Sequence, residues 1–443
     1  MGHILVDIFE KGLYCLFLVA LISGVLLYQV RRFNLGVLID SINFFWIFTF
    51  GTSYAIVIFL FLNSYISTDY FYIILLYYIV ISFGIWLGYQ VSIFKYRYKF
   101  RFFSSNVNFP KREISFLISI YFLLLIFYIS KVDFSVFFIS RFEANSGGLG
   151  IISRYMDVIR LFIIAYAAII AFNKRSWGLY IALLLFSIAS SFINGAKFAI
   201  IESIYTAFIS IILYYSISFK IFTLKRFFLL LIISFAVLVY VAYFLDRMAS
   251  DTGMVSKYTD YPVWFEALLL RIVANADMYY LSLPDGIIDI VQYQVSSWSN
   301  LFLRPLIGGS LTESLTGVKE SISVGRAIWL YHYPDSLSGG SVEHFDLDAY
   351  VHFGVLFGVL YVLAIGIYIG FINKIKMRIY RDKNRKNILF IMFFSYMYNK
   401  SYILLLSPTS GFSLIVDGFV VISLMLLYLG FINYVFIGNN SRG

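Results

Sequence analysis

The sequence predicts an all-helical, polytopic membrane protein of about eleven transmembrane helices, with a long helical loop before the ninth. Three observations predict it. Of 443 residues, 61% are hydrophobic and only 13% charged, where a soluble domain carries roughly a quarter charged residues. Apolar runs of about twenty residues, the length that crosses a hydrocarbon core, recur along the chain. Basic clusters follow every second run, which is the pattern of connections held in the cytoplasm.

The first apolar run, Leu13–Val30, has no small-residue cleavage site after it and reads as a span rather than a cleavable signal. Further spans fall at Ile42–Leu62, Phe71–Phe94 and Ile114–Ile129, then at Met156–Phe172, Trp177–Ile193, Phe198–Tyr215 and Phe227–Leu245. After a long break come Tyr350–Ile372, Ile388–Leu406 and Phe412–Phe436. Arg31 and Arg32 follow span one, and Lys95 to Arg112 follow span three. Lys174 and Arg175 follow span five, Lys220 to Arg226 span seven, and Lys374 to Lys386 span nine. With eleven spans all five clusters share one side, which the positive-inside rule makes cytoplasmic.

The chain divides accordingly. Residues 1–245 hold spans one to eight with a first outer loop at 130–155, residues 246–349 form the large outer loop, and residues 350–443 hold spans nine to eleven. A connection as long as 246–349 is usually functional. Its apolar stretches Trp264–Leu270 and Val324–Tyr331 predict short helices at the membrane surface.

The net charge of +10 lies largely in the inner loops, so it points to topology rather than to nucleic acid. One cysteine, Cys15, excludes an internal disulfide, and four histidines lack zinc-binding spacing. No metal site and no cofactor are expected.

Candidate chemistry lies toward the outer side. Arg141, Arg154, Arg271, Arg304 and Arg326 stand in apolar or glycine-rich settings. Guanidinium groups grip phosphate or carboxylate in pairs of bonds, although a single arginine near a helix end also snorkels at little cost. Arg160, Glu202, Lys400 and Asp417 fall inside spans, where charge is costly. Similar depth on neighbouring spans suggests a Lys400–Asp417 ion pair, while Arg160 and Glu202 stay open as site or scaffold. The stretch SVEHFDLDAYVHFG brings Glu343, His344, Asp346, Asp348 and His352 together. A histidine or carboxylate at a water–lipid boundary can take a proton from a hydroxyl; equally, acids collect at helix starts without any further role.

Three stretches resemble the bacterial O-antigen polymerase family, the Wzy-type oligosaccharide repeat unit polymerases related to the O-antigen ligases. FINGAKFAIIESIYTAFI is similar to the family's glycine-rich turn and basic residue at a helix start, here Lys197. NLFLRPLIGGS resembles a loop segment with a basic residue beside proline, and DAYVHFGVLFGVLY an acid, aromatic and polar residue before FG. The resemblance implies a GT-C-like membrane glycosyltransferase of the bacterial inner membrane, active toward the periplasm in lipopolysaccharide biosynthesis. It would transfer the growing glycan from undecaprenyl diphosphate to the non-reducing end of an incoming lipid-linked repeat unit. Donor and acceptor oligosaccharides on undecaprenyl diphosphate and the membrane lipids would be its partners, with room for a chain-length regulator. Arg141, Arg154, Lys197, Arg271, Arg304 and Arg326 would bind substrate, their charge standing in for a metal. A group among Glu343, His344, Asp346, Asp348 and His352 would be the base. The alternatives are an O-antigen ligase acting on lipid A–core and a transporter or flippase; no repeated halves favour the latter.

Overall fold

The computed structural model describes residues 2–33, 35, 40–91, 111–132, 149–194, 199–217, 266, 269–270, 272–295, 299–317, 322–336, 340–382 and 387–437. The described residues are mostly helical, without strands. Helices α1 (Gly2–Glu10), α2 (Gly12–Val30), α3 (Ser41–Leu62), α4 (Thr68–Gln90) and α5 (Lys111–Ile129) come first. They are followed by α6 (Leu149–Lys174), α7 (Trp177–Asn194) and α8 (Ala199–Tyr215). Short helices α9 (Asp277–Ser282), α10 (Ile287–Val295), α11 (Arg304–Ile307), α12 (Gly309–Thr316) and α13 (Val324–His332) belong to the long connection. The chain closes with α14 (Phe345–Arg381), α15 (Ile388–Lys400), α16 (Ile403–Leu406) and α17 (Pro408–Ile437).

Among the described residues, seven helical segments are long and apolar enough to cross a membrane, and three shorter apolar helices fall at spans four, six and seven. The chain is therefore a multi-pass helical membrane protein. Expected span eight lies outside the described residues. Expected loop helix Val324–Tyr331 appears as α13, whereas most of Trp264–Leu270 lies outside them.

α3, α6 and the α15–α16 segment sit inside the bundle, while α2 and α4 turn most of their apolar surface outward. Serines and asparagines start several of these helices: Ser67 Oγ accepts from Tyr70 N–H, and Asn387 Oδ1 accepts from Phe390 N–H. The most extensive contact joins α4 to α14. Gly84 and Gly88 of α4 meet Gly366 and Gly370 of α14, and a Cβ on Gly88 would stand 2.1 Å from the Ile367 carbonyl. Small residues four apart let backbones approach where lipid offers no hydrophobic drive for association.

α14 departs from expectation at both ends. A straight helix of its 37 residues would measure about 55 Å, well beyond a hydrocarbon core of roughly 30 Å. It is broken at Gly354, whose φ of 62° and ψ of −169° only glycine adopts readily. The Tyr77 hydroxyl donates to the Gly354 carbonyl at 2.9 Å, occupying a group the break releases. At the other end, Lys374 and Lys376 are not in a solvated basic loop. Helix α14 continues to Arg381, and Lys376 is fully buried, paired with Asp40 and 2.7 Å from the Tyr398 hydroxyl. A buried ammonium persists because a carboxylate and a phenol replace its water.

Candidate functional site

The short helices gather at the end of the bundle where α3 turns into α4 and α14 begins. α9 packs on α3 and α13, α10 on α13 and α14, and α11 on α17. Ser323 starts α13 by accepting from Arg326 N–H. Gly325, at its second residue, lies so close to the chain at Ser341 that a Cβ would be 2.1 Å from the Ser341 carbonyl. That approach lets Gly325 N–H reach Glu343 Oε1 at 3.2 Å, while Ser407 Oγ donates to Glu343 Oε2 at 2.8 Å. Two other chain segments thus fix one carboxylate.

Glu343, Asp348 and His352 share a small pocket with Arg304, Ile322, Ser323, Val324 and Thr409. Its free volume is about 10 Å³, room for about one water or one hydroxyl group. Asp348 and His352 are one turn apart on α14, with Asp348 Oδ1 3.7 Å from His352 Nε2. Tyr361 donates to Asp348 Oδ2 at 3.2 Å, and Oδ1 has no hydrogen-bond partner among the described residues. Both side chains are almost wholly buried. Arg304 stands half-buried at the rim, in the field of Glu343, with no hydrogen bond or ion pair among the described residues. The arrangement offers a buried carboxylate oxygen without a hydrogen bond among the described residues, an adjacent imidazole and an uncommitted guanidinium around a hydroxyl-sized space.

His344 and Asp346 lie behind this pocket. His344 is fully buried between Phe50 and Tyr279. Ser53 Oγ spends its one proton on the Asn275 carbonyl at 2.8 Å, so His344 Nε2, 3.2 Å away, is the donor to it. Nδ1 is left with a lone pair and no partner among the described residues. Burial pushes the imidazole down to about 3, so it stays neutral at physiological pH. The Tyr279 hydroxyl shares its one proton between the two Asp346 oxygens, 2.7 and 2.8 Å away, and Asp346 also accepts from Leu347 N–H. It serves the start of α14, where a carboxylate meets free N–H groups. Behind both, Asp277 accepts from Val342 N–H at 3.0 Å and holds the approach to Glu343. Burial pushes its carboxyl up to about 7.

The expected arginine cluster is resolved in part. Arg304 reaches the pocket. Arg154 lies not in a loop but in the first turns of α6, where it binds Asp417 with two hydrogen bonds of 2.8 and 2.9 Å. Arg326 donates to the Ser336 carbonyl across its own hairpin. Arg141, Lys197 and Arg271 lie outside the described residues.

The expected Lys400–Asp417 pair does not form. Lys400 instead bridges Asp157 and Glu202, 2.7 Å from each, and Arg160 lies 2.6 Å from Asp157. Asp417 instead pairs with Arg154, further toward the start of α6. Arg160 Nη1 also donates to Ser191 Oγ and Ser203 Oγ at 2.9 and 3.2 Å. Two acids and two bases neutralise one another between α6, α8 and α15. Asp157 completes this group; its spacing of three from Arg160 was the available sequence signal. Ser323, Ser407, Thr409 and Tyr361 carried no comparable signal.

No protein-family model, curated protein sequence or solved structure matches this chain. Fold and site define its class as a multi-pass helical membrane protein with a small mixed-charge pocket at one end of its bundle.

Proposed function

We propose that the chain is a membrane-embedded glycosyltransferase that polymerises lipid-linked oligosaccharide repeat units at the periplasmic face of the bacterial inner membrane. The convergence of Arg304, Glu343, Asp348 and His352 on one hydroxyl-sized pocket carries this reading. The hydroxyl at the non-reducing end of an incoming unit enters the pocket, and its oxygen attacks the anomeric carbon of the donor glycan. The bond from that carbon to the diphosphate oxygen breaks as the new glycosidic bond forms. The hydroxyl proton passes to the Asp348–His352 pair, whose Oδ1, without a hydrogen bond among the described residues, accepts it at the pocket wall. Arg304 stabilises the charge growing on the undecaprenyl diphosphate that leaves. Glu343, held by Gly325 and Ser407, orients the acceptor hydroxyl.

Deleting the gene tests the reaction class. A polymerase leaves single repeat units capping the lipid A–core, while lipid-linked units still reach the periplasm. Absence of any capped core would instead indicate a ligase, and units retained on the cytoplasmic side a flippase.

A further inference from the structure

Arg304 has no side-chain hydrogen bond or ion pair among the described residues, yet the backbone that carries it is gripped from another helix. Arg154 of α6 uses one edge of its guanidinium for Asp417 and two further N–H groups for the carbonyls of Pro305 and Leu306, the latter at 3.0 Å. Those carbonyls belong to α11, a single turn that ends at Gly308 with φ of 86°. The last carbonyls of a helix have no partner within it, and a cation there is favoured by the helix dipole. Arg154 therefore caps the turn that begins with Arg304. Asp417, 3% exposed on α17, fixes the planar fork of that cap.

We propose that Arg154 and Asp417 are a positioning pair: they hold α11 so that Arg304 stays uncommitted at the pocket, rather than binding substrate themselves. Four of the five N–H groups of Arg154 are committed, two to Asp417 and two to α11. A lysine at 154 would keep the charge but could not serve Asp417 and two carbonyls in one plane. The proposal rests on reading the Arg304 pocket as the active site, and its test separates the two.

The full chain in lipid nanodiscs, with Cys15→Ser and Arg304→Cys, carries one thiol at position 304, whose alkylation by a water-soluble maleimide reports the placement of α11. Adding Asp417→Asn or Arg154→Lys is expected to change the alkylation rate by about tenfold or more, the scale of a lost charged hydrogen bond. An unchanged rate in both overturns the proposal. Should Asp417→Asn fail to fold, Arg154→Lys, which keeps the charge, decides alone. In chains that retain Cys15 and Arg304, elongation supplies the second arm. Asp417→Asn is expected to lower kcat, and to add nothing once Arg304→Lys is present. Independent, multiplying losses would overturn it. If the wild-type chain does not elongate glycans, the functional reading falls and the alkylation result still stands.

Discussion

Asp348 Oδ1 lies 3.7 Å from His352 Nε2, one turn along α14 and immediately before the break at Gly354. The relationship depends on a helical register that ends two residues later. It places two buried titratable groups on one face of a short half-helix, with the pocket between them and Arg304. Asp348→Asn keeps the shape and removes the proton acceptor. Elongation is expected to fall by about 10²–10⁴-fold in kcat with KM little changed, the range of general-base loss, measured with purified lipid-linked repeat units. His352→Ala is expected to fall within the same range.

The break itself is a second point of leverage. Gly354→Ala would place a side chain in a backbone region reserved for glycine, at a cost of about 1–3 kcal/mol. The strain falls between the site half-helix and the spanning half. Activity is expected to drop more than thermal stability. Tyr77→Phe, which strips the donor from the Gly354 carbonyl, should shift both in the same direction by less. Thermal melts alongside elongation rates check the ordering.

Asp277 makes stability depend on pH. Its carboxyl is pushed up to about 7 by burial, against about 3.9 in an unfolded chain. Between those values the folded chain holds a proton that the unfolded chain has released. The contribution is therefore fully present below about pH 4 and is lost as pH rises to about 7, after which it is constant. Asp277→Asn is expected to remove this slope. Melting temperatures of the two proteins from pH 4 to pH 8 measure it, and parallel curves would refute the assignment.

At the opposite end, Lys376 and Asp40 hold α14 to the start of α3. Lys376→Met leaves a buried carboxylate without its ammonium and is expected to destabilise by about 3–5 kcal/mol. The double variant Lys376→Met with Asp40→Asn should recover most of that loss. Chemical denaturation in detergent reads both.

Much of this fold was legible in apolar run length, because lipid imposes a minimum span that few other constraints do. Leu13–Val30, Ile42–Leu62 and Trp177–Ile193 each correspond to a helix within a residue or two. The cluster from Glu343 to His352 was legible too, but the pairing of Asp348 with His352 was not, because the expected ninth span began only at Tyr350 whereas α14 starts at Phe345. Depth alone, however, does not say which way a side chain points. Lys400 and Asp417 stand at similar depth but face different neighbours, so the expected pair is replaced by Lys400–Glu202 and Arg154–Asp417. Nor could the sequence separate His344 and Asp346 from Asp348, because only tertiary packing puts Tyr279 over the first two. Lys376 was hidden among neighbouring basic residues, with its partner Asp40 more than three hundred positions away.

Elongation by the purified chain is the most direct test of the pocket as the reacting centre. Supplied with lipid-linked repeat units in nanodiscs, the wild-type chain is expected to build a ladder of glycans on undecaprenyl diphosphate. Arg304→Ala and Asp348→Asn, each folded as judged by its melt, should leave single units unextended. Wild-type ladders from both variants would contradict the account.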